Sequence, residues 1–340
     1  MRKPGMAPPL PARLLVDLPN WLGDLIHTLP ALAALARGNR GGETWALLPP
    51  THAPLVRLLG VGVIERPPGA SLGWARRELA GRFDVALTAR HSTRAKLLLA
   101  GTRAPLRLGS RGRGAAVLGL TTFRVVRSRH QRHDLDRALV CLGLAEVDDT
   151  PFRLLIPRGL GAQGERQRRA LADGSPTVAI LPATRGGNGK QYPLEKFAAV
   201  AEDLAAARAA VVVVVGPGEE ALALDLAERV GAAVAPTARP LDEVAALLAA
   251  CDATVGNDSG LTHLAAAVGC PTVVLFGPTD PARTAPVGAA VVVHAPGPEG
   301  AGFAPHLDRL QPAEVSRTVA ALLALAPAAL STGCKGVAHA

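Results

Sequence analysis

The stretch Gly256–Asp280, GNDSGLTHLAAAVGCPTVVLFGPTD, decides the fold of this 340-residue chain. A polar turn with a carboxylate, two hydroxyls and an imidazole precedes a helix of small residues. A buried strand and a second polar turn follow that helix. A loop that leaves the carboxyl end of a strand and enters a helix typically presents backbone N–H groups to an anion. The stretch therefore predicts a parallel α/β domain with an anion site at a helix N-terminus.

The charge of the chain is concentrated in its first half. Residues 1–150 carry 22 basic and 11 acidic residues, a net charge of +11, whereas residues 151–340 carry 15 basic and 17 acidic residues. A basic half favours an anionic partner, either nucleic acid or a phosphate-rich membrane surface, although a solvated arginine-rich surface would give the same composition. Few aromatic residues are interleaved with the arginines, and no helix-turn-helix or RRM signature is present, which argues against nucleic acid.

The cysteines and the apolar segments bear on where the protein works. The four cysteines are scattered without C-x-x-C spacing, which fits neither a disulfide framework nor a zinc site. The N-terminal stretch is too short and too rich in proline for a signal peptide. No aliphatic run approaches the ~20 residues that span a bilayer. The sequence therefore predicts a soluble cytosolic protein.

Strands and helices alternate along the chain, and the alternation starts again near residue 175. This pattern predicts an α/β protein with two Rossmann-like, doubly wound domains that face each other across a cleft. The glycine-rich residues 158–164 are interpreted as a linker before a helix over residues 165–171. The predicted boundaries are an N-terminal domain over 1–157, a C-terminal domain over 175–305, a C-terminal helix over 306–330 and a disordered tail over 331–340.

Two more strand-to-helix turns in the second half carry ligand chemistry. The turn 182–193, PATRGGNGKQYP, has glycines that let backbone N–H groups approach a phosphate. It also offers one hydroxyl and two positive charges, from Thr184, Arg185 and Lys190. In the next turn, Glu220 stands where a carboxylate commonly accepts hydrogen bonds from ribose. A flexible loop and an acidic first helical turn are the structural alternatives, but the convergence of these turns favours a nucleotide diphosphate.

The turn Pro19–Asp24, PNWLGD, follows the first strand of the N-terminal half. Gly23 permits a tight turn, and Asp24 falls near the start of a helix. The carboxylate would either cap that helix or act as the base for an acceptor hydroxyl. The residues alone leave both alternatives open.

Three segments together resemble glycosyltransferase family 9, the ADP-heptose:lipopolysaccharide heptosyltransferases. They are Pro19–Pro30, the loop that ends at Lys190, and Asn257–Asp280, and the resemblance extends over about residues 13–325. The spacing from Pro182 to Lys190 is more similar to heptosyltransferase II than to heptosyltransferase I. The resemblance implies a GT-B fold. It also implies an inverting, metal-independent transfer of heptose from ADP-heptose to the inner core of lipopolysaccharide, without a cofactor.

The resemblance also implies roles for individual residues. Asp24 matches the catalytic base, and Lys190 matches the residue that stabilises the departing diphosphate. The donor-binding residues are then expected to be Thr184, Arg185, Glu220, Asp258, Ser259, Gly260, Thr262 and His263. The N-terminal domain would bind a phosphorylated lipid A–core acceptor through Asn20, Arg94 and Lys96. Such an enzyme would contact the cytoplasmic face of the inner membrane peripherally and would bind no nucleic acid.

Two other functions remain open from the sequence. The first is a transferase that uses another nucleotide sugar, because the donor motif does not identify the sugar. The second is a nucleotide-sugar epimerase or hydrolase with the same GT-B fold. That enzyme would need acid and base residues in the C-terminal half beyond Asp258 and His263, and none is well placed in the sequence.

Overall fold

The computed structural model describes residues 12–110, 121–123, 152–184, 189–288, 290–294 and 307–325. Within these residues the chain forms two six-stranded parallel sheets, and helices are described between all successive strands of each sheet except β5 and β6. Arg185 and the tail 331–340 lie outside the described residues. No helix among the residues described is long and apolar enough to cross a bilayer.

The first sheet has the strand order β3-β2-β1-β4-β5-β6. Its strands are β1 Arg13–Asp17, β2 Glu43–Leu48, β3 Gly62–Glu65, β4 Val85–Thr88, β5 Leu106–Ser110 and β6 Thr121–Phe123. The helices that follow β1 to β4 are Leu22–Gly38, Ala53–Arg57, Leu72–Leu79 and Thr93–Gly101. The order of connection reverses between β1 and β4, and ligands of doubly wound sheets bind at such a switch point.

The second sheet has the strand order β12-β11-β10-β7-β8-β9, which is the order of the first sheet when the strands are counted from β7. Its strands are β7 Thr177–Leu181, β8 Ala210–Val213, β9 Ala233–Val234, β10 Ala253–Asn257, β11 Thr272–Phe276 and β12 Ala290–His294. Its helices are Arg158–Leu171, Leu194–Ala206, Glu220–Val230, Leu241–Ala250, Gly260–Ala267, Pro281–Thr284 and Pro312–Leu325. The switch point lies between β7 and β10.

The central strands are hydrophobic because helices cover both faces of each sheet. All residues of β7 (TVAIL) and β11 (TVVLF) are buried. Strands buried on both faces show continuous Val, Ile and Leu rather than alternation. The core is built largely of Ala, Val and Leu, and its rare aromatic pair is Tyr192 packed edge-on against Phe197 with ring centroids 5.0 Å apart.

The described residues divide into two compact units. The first runs up to Leu155 and includes residues 240–242, and the second takes the remainder from Ile156 onward. The interpretation of residues 158–164 as a linker is wrong, because the helix Arg158–Leu171 already includes them. Gly164 serves close packing in this helix: a Cβ there would lie 2.2 Å from the carbonyl oxygen of Ala246.

We expect Gly164→Ala to lower the free energy of unfolding by roughly 1–3 kcal/mol, since overpacking forces the two helix backbones apart. Gly161→Ala is the matched control in the same helix, because its Cβ would meet only Ile156 Cγ2 at 3.9 Å. There the better helix propensity of alanine should leave stability unchanged or higher. Urea denaturation measures both, and equal midpoints for the two variants would contradict the packing argument.

Candidate active site

Asn257, the last residue of β10, joins the two strands that flank the switch point of the second sheet. Its side chain is fully buried. Its Nδ2 donates to the Pro182 carbonyl at 2.6 Å, and its Oδ1 accepts from the Tyr192 backbone N–H at 2.9 Å. The amide therefore fixes both ends of the 182–192 loop against β10. Sequence reasoning quoted this residue but assigned it no role.

Asp258 gathers three side chains at the carboxyl edge of the same sheet. One carboxylate oxygen accepts from Lys190 Nζ at 2.8 Å and from Thr279 Oγ1 at 2.9 Å. The other oxygen is 3.0 Å from His263 Nε2. The partners come from the loops after β7 and β11 and from the helix after β10. The structure thus brings together the predicted Lys190, Asp258 and His263, and it adds Thr279.

The surroundings of Asp258 keep its carboxyl ionised. Burial would raise its pKa, but the hydrogen bonds from His263 and Lys190 and the charge of these partners lower the pKa below its usual range. A carboxylate only accepts hydrogen bonds, so His263 Nε2 is the donor in that contact. An anion held by three donors is a poor proton acceptor. Asp258 is therefore suited to orient Lys190 and His263 and not to act as a base.

The helix Gly260–Ala267 points its N-terminus to this edge of the sheet. Ser259 occupies the N-cap position with extended backbone, and its side chain makes no capping hydrogen bond to a backbone N–H of the helix. Its Oγ is instead 3.1 Å from Thr262 Oγ1. The first N–H groups of the helix are thus not capped by Ser259, and together with the helix dipole they suit an anionic ligand.

Gly256 makes this arrangement possible. A Cβ at this position would lie 2.6 Å from Thr262 Oγ1 and 2.8 Å from the Leu181 carbonyl oxygen. Only glycine therefore lets β10, β7 and the first turn of the helix approach so closely.

The predicted ribose-binding residue, Glu220, is exposed in the first turn of the helix Glu220–Val230. Its Oε1 accepts from the Gly218 backbone N–H at 3.1 Å and from Thr237 Oγ1 at 2.9 Å. Hydrogen bonds from backbone N–H groups, together with that from Thr237, lower its pKa. The carboxylate is thus held as an anion beyond the end of β8. Thr184, partly buried, ends the described stretch after β7.

The first unit also has a buried carboxylate at its switch point, which sequence reasoning missed. Asp17, at the end of β1, is fully buried. Its Oδ1 accepts from Arg66 Nη1, and its Oδ2 accepts from Thr88 Oγ1 at 2.7 Å and from Arg90 Nε at 2.8 Å. One carboxylate thus compensates two largely buried guanidinium groups. An acidic residue in the hydrophobic run RLLVDL was the available signal, because a buried charge requires a partner.

Arg66 also holds the loop that leads to Asp24. Its guanidinium donates to Asn20 Oδ1 and approaches the Leu18 carbonyl oxygen at 3.4 Å. Trp21, and not Asp24, occupies the N-cap position of the helix Leu22–Gly38. Asp24 lies in the first turn and is exposed. The loop thus fixes the predicted base near the switch point at an exposed position.

The two predicted acceptor-binding cations of the helix Thr93–Gly101 differ in their surroundings. Arg94 is exposed, whereas Lys96 is buried with 4% of its surface accessible. Only Arg94 therefore presents its charge on the open surface. Among the residues that the structure describes, no group of three or more His, Cys, Asp or Glu side chains could hold a metal ion.

We expect Asp17→Asn to lower the free energy of unfolding by about 3 kcal/mol, because it leaves two buried guanidinium groups without an anion. Asp84→Asn is the control, since it removes the carboxylate of an exposed pair with Arg13 at 2.9 Å. Exposed pairs contribute little, so this variant should unfold at nearly the wild-type urea concentration. Comparable losses in the two variants would contradict the role assigned to the Asp17 cluster.

His52 predicts a pH dependence of stability. Burial, and then the charge of Arg66, lowers its pKa from 6.5 to about 4. Between these two values the unfolded chain binds a proton that the folded chain does not, so stability falls as the pH drops from 6.5 towards 4. Between pH 6.5 and 5 the loss from this residue is up to roughly 2 kcal/mol. His52→Gln should lack this pH-dependent loss, so the difference in the free energy of unfolding between wild type and variant should change between pH 6.5 and 5. Parallel pH profiles of the two proteins would contradict the role of His52.

The family model for glycosyltransferase family 9 (heptosyltransferase) matches residues 74–301. Lipopolysaccharide heptosyltransferase 2 of Escherichia coli K12 is 27% identical over 303 residues, which cover 81% of this chain and 85% of that protein. Lipopolysaccharide heptosyltransferase 1 of Pseudomonas aeruginosa is 28% identical over 307 residues, which cover 82% of each chain.

Solved structures match the fold over most of the chain. The structure of E. coli ADP-heptose lipopolysaccharide heptosyltransferase II superposes with a TM-score of 0.78 at 24% identity and covers 93% of this chain and all of that one. The family 9 glycosyltransferase of Veillonella parvula gives a TM-score of 0.81 at 20% identity, with coverage of 93% and 98%. The predicted GT-B fold class, with two parallel-sheet α/β domains, is confirmed. With its family model matched over residues 74–301, the chain belongs to glycosyltransferase family 9 and is a glycosyltransferase.

Proposed function

We propose that this enzyme transfers a heptose from ADP-heptose to the phosphorylated inner core of lipopolysaccharide, with inversion and without a metal ion. The observation that carries the proposal is the cluster of Lys190, His263 and Thr279 around Asp258, beside the N-terminus of the helix Gly260–Ala267. Positive charge and N–H donors meet there at a switch point, where a nucleoside diphosphate is expected. The choice of heptose as the sugar and lipopolysaccharide as the acceptor is based on the relatives named lipopolysaccharide heptosyltransferase.

The departing diphosphate makes the largest electrostatic demand on the site. As the bond between the anomeric carbon and the diphosphate oxygen breaks, ADP takes the electron pair and gains negative charge. Lys190, which is 30% exposed and held by Asp258, can meet this charge without a metal. The helix N-terminus adds its dipole. Thr184, Arg185, Ser259, Gly260 and Thr262 are assigned to the diphosphate and sugar, and Glu220 to the ribose.

The acceptor hydroxyl attacks the anomeric carbon from the face opposite the diphosphate, and Asp24 takes its proton. One displacement at that carbon inverts its configuration. Asp24 suits the base role because it is exposed and an acceptor hydroxyl in solution can reach it, whereas Asp258 is buried. Asn20 and Arg94 are assigned to the acceptor. Lys96 is assigned as a second cation that pairs with an acidic group of the acceptor. The basic N-terminal half would contact the cytoplasmic face of the inner membrane peripherally.

The choice of acceptor residue separates two kinds of heptosyltransferase. The spacing from Pro182 to Lys190 favours heptosyltransferase II, and we propose that this chain adds its heptose to a core that already carries one. The relatives of both kinds match this chain at similar identity. Acceptors prepared with and without the first heptose, each with ADP-heptose, test this assignment. Transfer only to the acceptor without heptose would contradict the assignment to heptosyltransferase II and favour heptosyltransferase I.

Donor screening tests the proposal as a whole. Calorimetry should detect binding of ADP and ADP-heptose and much weaker binding of UDP-sugars. Transfer to a lipid A–core acceptor should proceed in EDTA and yield the inverted linkage by NMR. Turnover of the donor without an acceptor would favour the hydrolase or epimerase alternative, and tight binding of a UDP-sugar would favour another donor. Loss of turnover in EDTA, restored by Mg²⁺, would contradict metal independence.

Two variants should separate proton transfer from donor binding. Asp24→Asn should lower kcat by at least about 10²-fold, the usual contribution of a general base, with ADP-heptose affinity unchanged. Lys190→Ala should weaken ADP-heptose binding and also lower kcat, because its charge acts on the diphosphate. Asp84→Asn, an exposed carboxylate of the same unit, is the control and should retain full activity. Full activity of Asp24→Asn would reject Asp24 as the base.

A further inference from the structure

The side chain of Trp21 is a large aromatic group of the first unit that is not packed into its core. The chain has only three tryptophans among ten aromatic residues. Trp45 and Trp74 pack against the core of the first unit, whereas Trp21 is 61% exposed. An indole exposed to water does not contribute the free energy of apolar burial that normally stabilises a fold. A chain so poor in aromatic residues therefore keeps a large apolar ring at a surface position.

The backbone around Trp21 is fixed. Its carbonyl accepts the first hydrogen bond of the helix Leu22–Gly38, from the Leu25 N–H at 2.9 Å. On the other side, Arg66 holds the side chain of Asn20, and the Leu18 N–H donates to the Leu47 carbonyl at 2.9 Å. The ring is thus carried by a short segment tied down at both ends. A rigid aromatic anchor of this kind loses little conformational entropy when a ligand covers it.

We infer that Trp21 stacks on the apolar face of the acceptor sugar ring and so contributes to acceptor recognition. The inference rests on the proposed function, because it takes the acceptor to be a sugar and Asp24 to be its base. Trp21 lies three residues before Asp24 on the loop that leaves β1 at the switch point. The axial C–H groups of a pyranose form an apolar face of about the size of an indole, and the ring N–H can donate to a hydroxyl.

The surroundings favour a sugar over a lipid or protein surface. Surfaces that dock on membranes or proteins present contiguous apolar patches. The other large hydrophobic side chains exposed among the described residues are Leu155 and Leu224, which lie on different elements. Asn20, the residue before Trp21, is polar and exposed, and the guanidinium of Arg66 donates to its side chain. One ring among polar groups matches a charged, hydroxylated sugar.

The inference is tested with Trp21→Ala, Trp21→Phe and the control Leu224→Ala. The acceptor is a deacylated lipid A–core oligosaccharide, so that membrane contact plays no part. At saturating ADP-heptose, Trp21→Ala should raise the acceptor KM at least tenfold, Trp21→Phe less than threefold, and Leu224→Ala not at all. The ADP affinity and the midpoint of urea unfolding should remain those of the wild type in all three variants.

A binding measurement makes the test independent of turnover. Addition of the deacylated acceptor should shift or quench tryptophan emission in the wild type, and Trp21→Phe should abolish that change. Absence of an emission change, or an unaltered acceptor KM in Trp21→Ala, would overturn the inference. An effect confined to acylated acceptor in vesicles would also overturn it, because it would assign Trp21 to lipid. Failure of the wild type to transfer heptose would contradict the proposed function, while the emission change would still decide the role of Trp21.

Discussion

A buried carboxylate at the switch point of a parallel sheet is the constraint on which the geometry of the proposed donor site depends. Asp258 cannot be buried without cationic or donor partners, and its partners come from two loops and one helix. The requirement to compensate one charge therefore fixes where these loops lie relative to one another. Asn257 reinforces the same arrangement through the backbone of the 182–192 loop. Burial thus orders the residues that would meet a diphosphate before any ligand arrives.

The two units use the same device with different results. Each has a six-stranded sheet of the same order, and in each an aspartate at or next to a switch-point strand accepts from two basic side chains and one threonine. The cations around Asp17 are largely enclosed, with 6% and 11% of the Arg66 and Arg90 side chains accessible, whereas Lys190 is 30% accessible. The first cluster can only hold its loops in place. The second keeps a cation within reach of a ligand.

The sequence predicted the parts of the molecule that depend on local pattern. Continuous hydrophobic runs such as TVVLF identified the buried strands, and the polar turns after them identified Lys190, Asp258 and His263. What it could not predict depends on contacts between distant residues. The partners Asp17 and Arg66 are 49 positions apart, and Asp258 and Thr279 are 21 apart. Gly164 was misread for the same reason, because a glycine that allows two helices to touch has the same sequence signature as a flexible linker.

In the proposed mechanism, the accessibility of each carboxylate separates charge stabilisation from proton transfer. A base must reach its proton, and a charge-orienting group must not lose its partners to solvent. Asp258 satisfies the second requirement, since three donors surround it and its pKa is lowered. Asp24 satisfies the first, since the Arg66-bound loop positions it while leaving it exposed. In this proposal, two units of similar fold have different chemical roles, because the aspartate assigned to chemistry is exposed in the first unit and buried in the second.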